Sequence, residues 1–116
     1  MMNKTIMFEM ATGEKIGLTL SFSLLYKLRE KRAEDYERYN KIVMDGIKDM
    51  LDYPTALYTA YLCKCIEEEK EPEMSEVEFR EKLPYAMQEI VNAYSELYNS
   101  KKKLHLEDHL KAEQGR

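Results

Sequence analysis

The sequence predicts a mainly α-helical, compact domain of about four to five helices with a short N-terminal β-hairpin. Two observations support this fold class. Residues 1–20 contain two short apolar segments around a glycine-containing turn, whereas apolar residues recur at steps of three and four through most of the remaining chain. The chain has 116 residues, 44% hydrophobic and 34% charged, which is typical of one globular domain. We expect a single domain at residues 1–103 and a polar, frayed or partly disordered tail at residues 104–116.

The hairpin is predicted from two extended segments, residues 5–10 and residues 15–20. Between them, residues 11–14 supply the turn, because Gly13 can adopt a positive φ without steric cost. An isolated hairpin is marginal in water, so we expect this one to pack against helices or to pair with strands of another copy. Its edge is therefore a candidate contact surface.

A first, short helix is predicted directly after the hairpin. Its N-terminus has two capping candidates, Ser21 and Ser23, since a serine oxygen accepts a free backbone N–H at that position. Its apolar residues recur at helical spacing and are Leu24, Leu25 and Leu28. The basic residues around them are expected to face solvent.

A longer helix is predicted from residue 33 to residue 51. Its apolar positions follow steps of three and four and are Tyr36, Tyr39, Val43, Ile47 and Met50. Gly46 falls inside this helix and weakens it by roughly 1 kcal/mol relative to alanine, which good packing can offset. We therefore expect one continuous helix with one apolar stripe.

The third helix is predicted to be the central one. Pro54 lies in its first turn, where the missing N–H donor carries no cost. The apolar residues that follow cover a broad face, which indicates burial on more than one side: Leu57, Tyr58, Tyr61, Leu62, Cys65 and Ile66. Cys63 and Cys65 point about 200° apart on a helix, so we interpret both as small buried residues rather than a metal pair.

The last part of the chain is predicted to hold an acidic loop and two more helices. Residues 67–73 form the acidic helix end and loop, and Ser75 with Glu78 fits a capping box that starts a short helix. That helix extends to about residue 83, and Pro84 is predicted to open the last long helix. Its packing seam follows steps of four and three and comprises Leu83, Met87, Ile90, Tyr94 and Leu97.

Composition argues against several classes of function. The net charge is -4 and the isoelectric point is near 5.3, so the chain lacks the basic face that dominates affinity for DNA or RNA. The longest segment without charged residues, residues 16–26, is shorter than the roughly 20 apolar residues that span a bilayer. No signal-peptide pattern is visible at the N-terminus, so we expect a cytoplasmic protein that binds neither nucleic acid nor membrane.

The histidines are the residues that most suggest a metal site. His105 and His109 are four apart, with Glu107 and Asp108 between them, but the order differs from the His-Glu-x-x-His pattern that also positions a general base. We favour a solvated tail over a metal-binding one. No metal, no cofactor and no catalytic residue is therefore predicted, and the protein is not expected to be an enzyme.

Tyrosine and methionine are the residues best suited to contact a protein partner, and the chain has nine and eight of them. Tyr85 and Tyr98 lie off the seam of the last helix and are the candidate interface residues, with Met87 behind them. The methionines placed to contribute are Met7, Met10, Met44, Met50 and Met87. The helix seams exceed what a core of this size must bury, so we also expect self-association, at least to a dimer.

Three segments carry a family resemblance together with the order of elements. They are residues 57–62 in the central helix, residues 74–83 before the last helix, and residues 92–103 at its end. In these segments the chain resembles the small tail assembly chaperones encoded by siphophages, myophages and prophages of Gram-positive bacteria. The resemblance covers about residues 3–103.

The resemblance implies a chaperone that acts in the host bacterial cytoplasm. Copies of such a protein coat the tape measure protein, keep its apolar helices soluble, and recruit tail tube subunits before they are displaced. This function needs no catalytic residue and requires self-association along a filament. In many members a frameshift near the end of the gene adds a second, tube-binding domain. The alternative interpretation is a small bacterial regulatory adaptor that binds a single protein partner.

Overall fold

The structure is a computed structural model that describes residues 4–98. In chain order its elements are β1 (Ile6–Glu9), β2 (Lys15–Leu18), α1 (Phe22–Lys31), α2 (Ala33–Asp45), α3 (Asp52–Glu67), α4 (Glu76–Lys82) and α5 (residues 87–98). The predicted fold class, a mainly α-helical domain with an N-terminal hairpin, is confirmed. His105, His109 and the predicted tail lie outside the described residues.

The hairpin turns in the manner that its glycine predicts. Met10 O accepts a hydrogen bond from Gly13 N at 2.9 Å, and Met10 N donates to Glu14 O at 2.8 Å. Gly13 has a φ of 92°, which only glycine adopts without strain. This is the three-residue hairpin loop in which a left-handed glycine returns the chain to the second strand.

Helix α3 lies at the centre of the fold. The hairpin strand β2 and the helices α1, α2 and α4 all pack against it, and apolar residues of α5 join the same core. Its residues 56–63 are buried without interruption, because it is covered on more than one side as the sequence predicts. Cys63 and Cys65 are buried thiols within this core and form no disulfide, so their interpretation as small buried residues is confirmed.

Side-chain caps define the starts of α1 and α4. The Ser21 hydroxyl, rather than that of Ser23, accepts from Leu24 N at 3.2 Å. Ser75 and Glu78 form the predicted capping box, in which each side chain accepts the other's backbone N–H at 3.2 Å. These caps give the exposed amides at both helix starts a partner, which is why the boundaries could be predicted closely.

Helix α2 ends at Asp45, so the prediction of one helix to residue 51 was wrong. Gly46 has a φ of 83° and a ψ of 167°, and its N–H donates to Ile42 O at 2.7 Å. The glycine therefore terminates the helix instead of lying within it. The predicted stripe is also wrong beyond Tyr39: the second buried residue of α2 is Ile42, whereas Val43 is exposed.

We expect Gly46→Ala to lower the free energy of unfolding by about 1–3 kcal/mol. Nothing lies within 4 Å of the position that a Cβ would occupy, so the loss is a backbone effect. Gly46→Asn should not rescue stability, because a ψ of 167° lies outside the left-handed helical region that asparagine tolerates. Denaturation in urea measures both variants. Asp45→Ala, at the exposed neighbouring position, is the control, and a stable Gly46→Asn protein would contradict this account.

Helix α5 begins at residue 87, not at Pro84 as predicted. Leu83, the residue before the proline, is extended with a φ of -67° and a ψ of 141°, as proline generally imposes on its predecessor. The predicted packing seam is confirmed nevertheless. Ile90 and Leu97 are buried, and the half-buried residues packed on the core include Leu83, Met87 and Tyr94.

Candidate functional site

Four large apolar side chains are exposed where α2 leads into α3. They are Val43, Met44, Met50 and Leu51, with exposed fractions of 49%, 75%, 59% and 70%. We call these four residues the apolar corner. Single exposed apolar side chains are ordinary on a protein surface, but several in one short segment indicate an interaction site.

The connection between α2 and α3 has a defined shape because Asp52 holds it. The Asp52 carboxylate accepts hydrogen bonds from Lys48 N at 3.1 Å and from Asp49 N at 3.3 Å. The Asp49 side chain in turn accepts from Leu51 N at 2.9 Å. These bonds satisfy backbone groups of residues 48–51 locally, while the side chains of Met50 and Leu51 remain in solvent. The backbone of the connection is therefore fixed by hydrogen bonds, and its apolar side chains are exposed to solvent.

A cluster of tyrosine rings begins at Tyr53, two residues after Leu51 of the apolar corner. The ring of Tyr53, in the first turn of α3, meets the Tyr94 ring edge-on at 5.3 Å, and Tyr94 stacks with Tyr98 at 6.1 Å. Burial raises the pKa of Tyr94, with further contributions from Tyr98 and Tyr53. Burial also raises the pKa of Tyr39, on the inner face of α2. The ring contacts of Tyr53, Tyr94 and Tyr98 therefore join α3 and α5.

The three predicted interface residues lie at two separate places. Tyr85 is fully exposed in the segment before α5, and Met87 is half-buried against the core. Tyr98 is 44% exposed at the other end of the described helix, roughly 17 Å from Met87 at 1.5 Å per residue. Tyr98 belongs to the ring cluster of Tyr53 and Tyr94, whereas Tyr85 has no ring contact with that cluster.

The sequence interpretation found only part of the apolar corner. Met44 and Met50 were singled out as adaptable residues, but Val43 and Met50 were also assigned to a buried stripe. Leu51 was missed because it was treated as the end of a helix. The signal that could have found it is Gly46 followed by Asp52: a helix terminator, and then a carboxylate that accepts backbone N–H groups of the connection.

A cleft lined by both polar and apolar residues lies between the hairpin and the C-terminal half of α3. Its volume is about 380 Å³. The Lys64 ammonium group in it lies 2.7 Å from a Glu67 carboxylate oxygen and 3.1 Å from the Thr5 hydroxyl, and Lys70 pairs with Glu68 at 3.2 Å. These lysines are neutralised by their own neighbours, which favours a structural role for them.

The cysteine in this cleft is not activated. Burial raises the pKa of the Cys65 thiol above its ordinary value, although a hydrogen bond with Tyr61 opposes the rise. A thiol with a raised pKa is less ionised at neutral pH and is therefore a weaker nucleophile. Among the described residues, no group of three or more His, Cys, Asp or Glu side chains is arranged to hold a metal ion.

Comparisons with known proteins do not identify the chain. No protein-family model, curated protein or solved structure matches it significantly. None of the helices in the described part of the chain is both long enough and apolar enough to cross a membrane. The functional interpretation therefore rests on the exposed side chains of the apolar corner.

Proposed function

We propose that the protein is a non-enzymatic tail assembly chaperone that binds the tape measure protein and recruits tail tube subunits during phage tail morphogenesis. The observation that supports this proposal is the apolar corner, because a chaperone for apolar helices needs an exposed apolar surface of its own. The proposed site of action is the host bacterial cytoplasm. The family resemblance of residues 3–103 supplies the identity of the two partners.

The composition of the apolar corner suits an apolar helix as ligand. Met44 and Met50 have flexible, unbranched side chains that can fit different sequences along a long partner. Exposed charged residues, Asp45, Lys48 and Asp49, lie in the same segment and form a polar rim. An amphipathic helix presents apolar residues at steps of three and four, so it can cover the corner while its polar face stays in water.

The experiment that tests the function is co-expression with the tape measure protein. The parent chain should keep this partner soluble. A Met44→Asp/Leu51→Asp variant should weaken binding at least roughly tenfold and leave the partner insoluble, because burying an unpaired carboxylate in an apolar contact costs more than about 1.4 kcal/mol. Both side chains are exposed in the free protein, so its folding should not change.

Matched variants locate the contact. Val77→Asp introduces the same charge at an exposed apolar residue of α4 and should solubilise the partner as the parent does. Tyr98→Asp and Tyr85→Asp, made separately, test whether each predicted interface residue belongs to the contact. If the Met44→Asp/Leu51→Asp variant keeps the partner soluble as well as the parent does, the apolar corner is not the contact surface. A parent chain that solubilises nothing would favour the regulatory adaptor instead.

A further inference from the structure

Strand β1 forms one side of a two-stranded sheet, and no second described strand lies beside its other side. The hydrogen bond from Met10 N to Glu14 O, 2.8 Å long, shows which residues of β1 direct their backbone N–H and C=O groups towards β2. Since hydrogen-bonded and non-hydrogen-bonded pairs alternate in an antiparallel ladder, the even-numbered residues of β1 direct their backbone groups towards β2. The backbone N–H and C=O groups of Met7 and Glu9 point away from β2, and no described residue forms a backbone hydrogen bond with them.

The outer edge of β1 is open at Met7 and Glu9 and is closed beyond them at Ala11, whose N–H donates to Lys82 O at 2.8 Å. Edge strands are commonly blocked by lysine, proline or a bulge, and β1 contains none of these. Met7, at its middle, is 63% exposed. Glu9, its one charged residue, lies at the turn end and opposite Lys15 of β2. An edge with an exposed apolar centre is suited to accept another strand.

We propose that this edge binds β1 of a second copy of the chain, antiparallel, about a twofold axis through Met7. In this register Met7 faces Met7 of the second copy, and Thr5 faces Glu9. The hydroxyl of Thr5 can donate to the carboxylate of Glu9, and no like charges face each other. The two Glu9 residues stay roughly 13 Å apart along the strands, at about 3.3 Å per residue.

Other registers fit less well. Because the outward backbone groups belong to odd-numbered residues, only odd positions can form the hydrogen-bonded pairs of the new ladder. An axis at Glu9 would place the two carboxylates directly opposite each other, which is destabilising. An axis at Phe8 would place Thr5 opposite Ala11, which belongs to the turn. The axis at Met7 is the one that pairs all of residues 5–9.

The paired sheet would extend the hairpin from two strands to four. The hairpin of the single chain is already supported by α3, on which β2 packs. The inner face of β1 already holds Ile6 and Phe8 in the core, so pairing would continue this apolar face into the second copy. The proposed dimer contact uses no residue of the apolar corner, so the mass measurement and the co-expression experiment can fail separately.

The test is the mass of the purified chain in solution, measured by light scattering at tens of micromolar protein. We expect the parent to be a dimer and Met7→Lys to be a monomer, with a dissociation constant raised at least about tenfold by the facing charges. Val77→Lys carries the same charge at another exposed site and should remain a dimer. Mixing Met7→Lys with Met7→Glu should restore the dimer, since only a residue on the axis faces itself.

A second measurement keeps the proposal falsifiable if Met7→Lys fails to fold. Hydrogen-bonded cross-strand pairs have Cα atoms about 5.5 Å apart, which is within reach of a disulfide. Met7→Cys should therefore form a covalent dimer under mild oxidation, and Val77→Cys should not. A monomeric parent, a Met7→Lys variant as dimeric as the parent, or no cross-link through Met7→Cys would overturn the proposal.

Discussion

Phe79→Ala is expected to lower the free energy of unfolding by about 3–5 kcal/mol. Phe79 is the one buried residue of α4 and has 0% exposure. Its ring lies 5.3 Å from the ring of Tyr58 and 5.6 Å from that of Tyr61, both on α3. Truncation would leave a cavity between these rings and remove the aromatic contact of α4 with α3.

Urea denaturation of the variant measures this loss. Phe22→Ala is the matched control, because Phe22 is also a helical phenylalanine but is largely exposed on α1. Its cost should stay near 0.5 kcal/mol, about the usual size for a surface substitution. Equal losses in the two variants would contradict the assignment of Phe79 as the residue that anchors α4.

Tyr61→Phe is expected to cost about 2–3 kcal/mol although it removes a single oxygen atom. The Tyr61 hydroxyl oxygen accepts from Glu73 N at 2.9 Å and from Met74 N at 3.2 Å. Phenylalanine would leave two amides without their acceptor, and Met74 is buried. An unsatisfied buried donor costs more than a solvated one because water cannot replace the lost partner.

Tyr58→Phe provides the comparison for this prediction. The Tyr58 hydroxyl donates one hydrogen bond to Met74 O at 3.0 Å, so its removal affects one backbone group instead of two. We expect a loss of about 1 kcal/mol. Both variants remove one hydroxyl group from a tyrosine, so urea denaturation under identical conditions compares their free energies of unfolding directly. If Tyr58→Phe lowered the free energy of unfolding more than Tyr61→Phe does, the two backbone N–H groups bound by Tyr61 would not explain its contribution to stability.

Local rules predicted the parts of the fold that depend on neighbouring residues. Gly13 determined the hairpin turn, and Ser75 with Glu78 determined the start of α4, because each interaction is completed within a few residues. The broad apolar face of α3 also predicted its central position. In these places the sequence pattern and the tertiary packing favour the same structure.

The end of α2 could not be predicted because two signals conflicted. Spacing at three and four residues continues through Ile47 and Met50, which favours a longer helix. Gly46 and the carboxylate of Asp52 favour termination, and they prevail since Asp52 accepts two amides of the connection. Apolar spacing shows only which residues would be buried if the helix continued. Met50 is exposed because the helix does not continue to it.

The candidate site was predicted in part for a similar reason. Tyr98 was placed off the packing seam by helical spacing alone, and the structure leaves it 44% exposed. Its neighbourhood could not be derived from spacing, because the contact of Tyr94 with Tyr53 joins elements far apart in the sequence. Tyr85 and Tyr98 were grouped as one face since Pro84 was expected to start the helix that carries both.

The central position of α3 determines how cooperatively the protein unfolds. Since β2, α1, α2 and α4 each pack on α3, detaching any of them uncovers apolar residues that only the complete fold buries. The described part of the chain should therefore behave as one cooperative folding unit, without a stable subset of elements. The exposed side chains of the apolar corner and of Met7 contribute little to this core, so substitutions there should leave the global stability nearly unchanged.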